Sequence, residues 1–326
     1  MVADQTKKTA FFYGLLATTL VPLVALSALS LTTFPFDNSL LLGLTIFAGG
    51  VGHVGSTACV YADAGVREVM QPMKGRFYVF PLASLLVTAA ALVWGAKFEV
   101  AKTITGALFA FHLFWLHFHY QKQNYGLVAF VAASTGLRVP KSLSNILLLP
   151  ALAGVLAIMP LLVGDEMENE SVLQPYRQPL LILAVLVYGI GLVLTVRLVA
   201  GNRSSFAHPR TALMTAICFL FFLPAVLRPA SEYAFWGYAL AHGFQYLLMV
   251  FMVAGGTKPS LKIFVAFVLS VGAGGYLLHS LAGNQALFVC GILLTWVHFV
   301  LDARLWRMSE PNVRKLLRER FGFLFS

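Results

Sequence analysis

TITGALFAFHLFWLHFHYQKQNYG, residues 103–126, is the stretch on which the reading of the fold turns. Residues 103–120 are apolar over the length that crosses a bilayer core of about 30 Å. The same run nevertheless carries His112, His117 and His119 and ends on Gln121, Lys122, Gln123 and Asn124. Ionisable groups inside a membrane are costly and by default face the bundle interior. The stretch therefore predicts a membrane helix that brings imidazoles to a protein interior and leaves the membrane at its polar end. His112 and His119 are seven apart and aligned, whereas His117 points about 140° away from His112, so two of the three share the inward face.

The rest of the chain repeats this pattern. Hydrophobic residues make up 59% and charged residues 11% of the 326, against about a quarter charged in a soluble domain, and mean hydropathy is +0.81. An integral membrane protein follows. Apolar runs separated by polar or Pro/Gly breaks predict an all-α polytopic bundle of about ten transmembrane helices. They cover residues 10–32, 39–62, 77–96, 103–120, 143–163, 179–198, 211–228, 233–254, 261–281 and 285–304. The first follows Lys7 and Lys8 like a signal peptide, but it outruns the roughly 7 to 15 residues of a signal core and is expected to be retained.

Lys and Arg alternate between successive loops. One set carries Lys7, Lys8, Arg67, Lys74, Arg76, Lys122, Arg138, Lys141, Arg203, Arg210, Lys258 and Lys262, plus the tail from Arg304 to Arg320, and the other only Lys97, Lys102, Arg177 and Arg228. Positive residues stay inside, so both termini are expected to be cytoplasmic, in a bacterial inner membrane. Residues 1–304 are expected to form a single transmembrane domain. Residues 305–326 read as an amphipathic interfacial tail, capped by Ser309, with Val313, Leu316, Leu317, Phe321 and Leu324 on one stripe. The acidic residues Asp165, Glu166, Glu168 and Glu170 fall in the largest outside loop.

The net charge of +10 is scattered through short loops rather than gathered on a stripe, which excludes nucleic acid as a partner. Cys59, Cys218 and Cys290 lie inside apolar runs without close spacing, so neither a disulfide framework nor a zinc knuckle is implied. Nothing in the sequence sets an oligomeric state.

Histidines mark the candidate site. His53, His117, His119, His242 and His298 come from four separate even-numbered spans, and His53, His117 and His298 each sit about 20 Å below the outer edge of their helix. A shared pocket toward the inner leaflet is expected. His298 and Asp302 are four apart and share a helical face, so the carboxylate either holds the imidazole tautomer or binds a metal directly. His242, Gln245 and Tyr246 likewise share a face, with Gln245 and Tyr246 as substrate-orienting candidates. Gly50, Gly52 and Gly55 flank His53 and admit another helix, with Thr57 one turn on. Several imidazoles with few carboxylates suit iron, copper, zinc or nickel and argue against calcium, magnesium or an iron–sulfur cluster.

Four segments resemble the Brp/Blh family of bacterial and archaeal membrane β-carotene dioxygenases: GHVGSTACVYAD with His53, WLHFHYQKQ with His117 and His119, LAHGFQYL with His242, and VHFVLDARLW with His298 and Asp302. The resemblance implies a polytopic protein whose histidines bind non-haem iron and which cleaves a carotenoid. It covers about a tenth of the chain. Span two lacks a His-x-x-x-Asp, the third segment lacks a second histidine, and ten spans exceed the family's usual number.

The favoured function is a non-haem iron oxygenase acting on a lipophilic small molecule or membrane lipid that enters from the bilayer, with a redox partner compatible. Two alternatives stay open. One is a haem-binding electron-transfer subunit with paired histidine ligands. The other is a proton-coupled transporter, to which the glycines at 49–55 and 272–275 would lend flexibility.

Overall fold

The computed structural model describes residues 2–29, 31, 40–95, 100–165, 174–229, 231–254 and 261–325. Among them every regular element is helical and no strand occurs, as expected of an all-α chain. Two compact units make up the protein: Met1–Thr33 with Lys102–His242 and Phe325, and Phe34–Ala101 with Gly243–Leu324.

The first unit is built from α1 (Val2–Leu29), α7 (Val100–Ser134), α8 (Ser142–Ile146), α9 (Leu148–Asp165), α10 (Arg177–Gly201), α11 (Pro209–Leu220), α12 (Leu223–Leu227) and the first half of α13 (Glu232–Ala254). Helices α9 and α10 pack against each other where Gly191 meets Leu149 and Pro150, and Gly154 gives room to the Phe222 ring. Leu113 and Val155 form a core with Phe109, Leu152, Met159 and Phe235 around them. Helix α10 turns Ile182, Val185, Leu186, Ile190 and Val196 outward. A helix hydrophobic all round belongs in lipid rather than in water.

The second unit contains α2 (Leu40–Phe47), a π-helical turn at Ala48–Gly52, α3 (His53–Gly55), α4 (Thr57–Ala62), α5 (Ala64–Met70), α6 (Phe80–Gly95), the second half of α13, α14 (Leu261–Leu305), α15 (Pro311–Arg320) and α16 (Gly322–Phe325, less Phe325). The glycines singled out in the sequence serve helix contact here. A Cβ on Gly55 would meet Val271, one on Gly52 would meet Val268, and one on Gly272 would meet the Ala48 backbone at 3.1 Å. Gly50 faces open space.

Among the described residues, five helices are long and apolar enough to cross a membrane: Gln5–Leu29, Ser142–Leu161, Arg177–Gly201, Pro209–Leu227 and Glu232–Val253. This is fewer than the ten expected, and several of the expected spans take another form. Span 39–62 is broken by the π-helical turn and by Ser56, and α6 is short. The polar run at Gln121 does not end its helix, because α7 continues unbroken to Ser134. The two spans expected at 261–281 and 285–304 lie on one continuous helix of 45 residues, about 68 Å long.

The polar run clamps a neighbouring helix instead. Gln121 and Asn124 are fully buried. Gln121 donates from Nε2 to the Cys218 carbonyl at 3.0 Å and accepts from Asn124 Nδ2 at 3.0 Å. The last carbonyls of a helix lack partners of their own, and α11 ends at Leu220. Gln121 serves Cys218, and Tyr188 Oη donates to Phe219 O at 3.1 Å.

In the tail, Glu310 rather than Ser309 occupies the cap position of α15. Val313, Leu316, Leu317, Phe321 and Leu324 are buried. Leu316 reaches Gly65, and Arg320 pairs with Asp63 at 3.0 Å. The acidic loop 166–173 lies outside the described residues, as do the side chains of Asp165, His279 and Cys290.

Candidate metal centre

His53, Thr57, Tyr246, His298 and Asp302 come together in the second unit. The chain reaches His53 through the π-helical turn Ala48–Gly52, an irregularity frequent at functional sites. There the Gly49 carbonyl lies 2.5 Å from His53 Nδ1. A carbonyl only accepts, so Nδ1 carries the proton and Nε2 presents its lone pair. That is the arrangement of a metal-ligating histidine, whose other nitrogen donates to a backbone carbonyl or carboxylate.

Facing it, His298 projects from the last third of α14, with ring centroids 5.1 Å apart and planes at 89°. The ligand nitrogens of His53 and His298 lie within 4.8 Å of one another, and so do the ligand atoms of His298 and Asp302. All three side chains are buried. Asp302 accepts a hydrogen bond from Trp306 Nε1 one turn on, which holds one carboxylate oxygen. Tyr246 stands edge-on to His298 with centroids 4.4 Å apart, and Gln245 beside it is buried.

The first unit holds a second pair. His119 and His242 are buried with ring centroids 5.0 Å apart. Tyr120 lies 4.1 Å from the His242 ring, and Gln123 Nε2 donates to the His242 carbonyl at 3.2 Å. Taken together, His53, His119, His242, His298 and Asp302 are the buried residues that could hold a metal ion among those described.

His117 is different. Its Nδ1 lies 2.7 Å from Leu113 O and its Nε2 lies 2.8 Å from Tyr238 Oη. The carbonyl again fixes the proton on Nδ1, so Nε2 accepts from the tyrosine and both nitrogens are occupied. Phe222, Phe235 and Tyr120 surround the ring. His117 is a packing histidine, and the helical spacing that separates it from His112 is the signal that could have set it apart.

No protein-family model, curated protein or solved structure matches the chain. A functional reading therefore rests on the donor geometry. With metal–nitrogen bonds of about 2.0–2.1 Å, two imidazole centroids stand roughly 5 Å apart at a near-tetrahedral ligand angle, and more than about 6 Å apart across a metal. The 5.1 Å between His53 and His298, whose ligand nitrogens lie within 4.8 Å of one another, fits adjacent ligands. The residues present fit a metal of that kind.

Proposed function

We propose that the chain is a membrane-embedded, histidine-ligated metalloprotein, in the first instance a non-haem iron oxygenase acting on a lipophilic substrate. The observation that carries this reading is the meeting of His53, His298 and Asp302 in one unit, with one imidazole tautomer already set by Gly49 O. Two histidines and a carboxylate with open positions are the donor set of ferrous oxygenases, in which the bound metal activates dioxygen. His119 and His242 are the further candidate ligands.

The protein's own residues do the rest. Gly49 and Trp306 hold His53 and Asp302 in orientation. Val54, Val60, Val250, Val253, Phe299 and Leu301, all buried, keep the second unit's interior dry. Gln245 and Tyr246 are candidates to orient a substrate. An apolar molecule such as a carotenoid or another isoprenoid would reach the site from the bilayer, as the resemblance to carotenoid dioxygenases implies. The distribution of Lys and Arg supports cytoplasmic termini in a bacterial inner membrane. Haem held by histidine ligands is the alternative, and its Soret band distinguishes it from a non-haem centre.

The deciding experiment is metal analysis with an absorption spectrum on the full chain purified in detergent. Iron that is lost in His53→Ala and His298→Ala, without a Soret band, is the expected result. Its stoichiometry tells one centre from two. Metal-free wild-type protein that also fails to take up ferrous ion would end this reading.

A further inference from the structure

Thr57 Oγ1 lies 3.3 Å from His298 Nδ1 and 3.4 Å from Tyr246 Oη. All three side chains are buried, Thr57 at 4% and the other two at 1% or less. They come from three elements, α4, α13 and α14. Thr57 is four residues beyond His53, so both project from one helical face toward His298. The Tyr246 ring closes the triangle by standing edge-on to the His298 imidazole.

The Thr57 contact with His298 has a property that the Gly49 contact with His53 lacks. A carbonyl dictates the tautomer of the histidine it touches, whereas a hydroxyl either donates or accepts. With Thr57 as donor, the His298 proton would sit on Nε2 and the ring could not ligate through that atom. With Thr57 as acceptor, Nδ1 carries the proton and Nε2 is a ligand. The hydroxyl's own proton then needs an acceptor, and Tyr246 Oη is placed to be one.

We infer that Thr57 is a positioning residue of the metal centre: it accepts from His298 Nδ1–H, donates to Tyr246 Oη, and thereby fixes His298 with Nε2 presented. The inference rests on the metal-centre reading above. It gives the orienting role on His298 Nδ1 to Thr57 rather than to Asp302 one turn on. His298 Nδ1 already has Thr57, and Asp302 is held by Trp306. The two imidazoles of the second unit are thus oriented from one stretch of chain, His53 by the carbonyl that precedes it and His298 by the hydroxyl that follows.

The test compares Thr57→Val, which keeps the shape and removes the hydroxyl, with Thr57→Ser, which keeps the hydroxyl. Full chain labelled with ¹⁵N-histidine is reconstituted in bilayers, and the His298 signals are assigned by their loss in His298→Ala. Metal-free wild type and Thr57→Ser should show Nδ1–H on His298, and Thr57→Val should show the other tautomer or a mixture. In parallel, cobaltous ion is titrated by its visible absorption, with about 10- to 100-fold weaker binding expected for Thr57→Val and near wild-type binding for Thr57→Ser. A Thr57→Val protein with the wild-type tautomer and affinity would overturn the assignment, as would a Thr57→Ser protein no better than the valine variant. If wild type binds no metal, the metal reading fails by itself, and the tautomer comparison still decides what Thr57 does.

Discussion

His53 donates from Nδ1 to the carbonyl oxygen of Gly49, four residues before it in the same chain, at 2.5 Å. Gly49 lies in the π-helical turn Ala48–Gly52 that leads into His53. Helix α13 packs closely here, since a Cβ on Gly243 would strike the Gly49 carbonyl and lie 3.1 Å from His53 Nδ1.

Gly243→Ala should therefore disable the site from a distance of one hydrogen bond. Its methyl group would displace the carbonyl that holds His53, and loss of such an orienting partner weakens metal binding by about 10- to 100-fold. Gly50→Ala in the same turn meets nothing within 4 Å and should bind metal as wild type does. A metal titration on both variants checks the contrast. Equal affinities would show that the turn does not orient the ligand.

Replacing His117 should separate packing from ligation. His117→Phe leaves the Tyr238 hydroxyl buried without its 2.8 Å acceptor, at a cost of about 1–3 kcal/mol. Metal content should stay at the wild-type level. His117→Phe combined with Tyr238→Phe should recover part of the lost stability, because the orphaned hydroxyl goes too. Thermal unfolding in detergent and metal analysis are the two readouts, and metal loss in the single variant would return His117 to the ligand set.

The contrast between these residues also shows how far the site was legible. Composition and apolar runs were sufficient for a helical membrane protein, and the His298–Asp302 spacing pointed to a pair whose ligand atoms do lie close. The glycines around His53 announced a close helix contact, which Val268 and Val271 supply. Thr57 could be placed one turn from His53, but its role was hidden until its partners, 189 and 241 residues away, were known. The Gln121–Asn124 run misled because the same amides suit a helix leaving the membrane and a helix clamping another. Only the end of α11 decides between the two. The π-helical turn is a local distortion that periodicity does not encode.

Gln121→Leu should test that clamp. The substitution removes the donor to the Cys218 carbonyl and the acceptor of Asn124 Nδ2 in a fully buried setting. Loss of both bonds predicts destabilisation of about 2–6 kcal/mol, at roughly 1–3 kcal/mol each, with metal content in the folded fraction unchanged. Gln121→Glu should lose a similar amount, because a carboxylate cannot donate to the carbonyl. A leucine variant as stable as wild type would mean that Cys218 O finds another donor.

The C-terminal helix is tied down through one carboxylate. Arg320 Nη2 contacts both oxygens of Asp63, at 3.1 and 3.0 Å, and Asp63 also accepts from Val66 N at 2.9 Å as the cap of α5. The two roles divide between two variants. Asp63→Asn keeps a side-chain oxygen for the cap and loses the charge that holds Arg320, so α15 should loosen while α5 stays formed. Asp63→Ala loses both, adding about 0.5–2 kcal/mol for the cap. Because the apolar stripe of α15 is buried beside α5, release of Arg320 should expose it to transient opening rather than complete detachment. Limited trypsin digestion reads this directly at Arg314, Lys315 and Arg318, with cleavage rising in the order wild type, Asp63→Asn, Asp63→Ala. High salt should accelerate cleavage of wild type and leave the variants unchanged, since only wild type has the ion pair to screen. Cleavage of all three at one rate would show that the apolar stripe alone holds the helix.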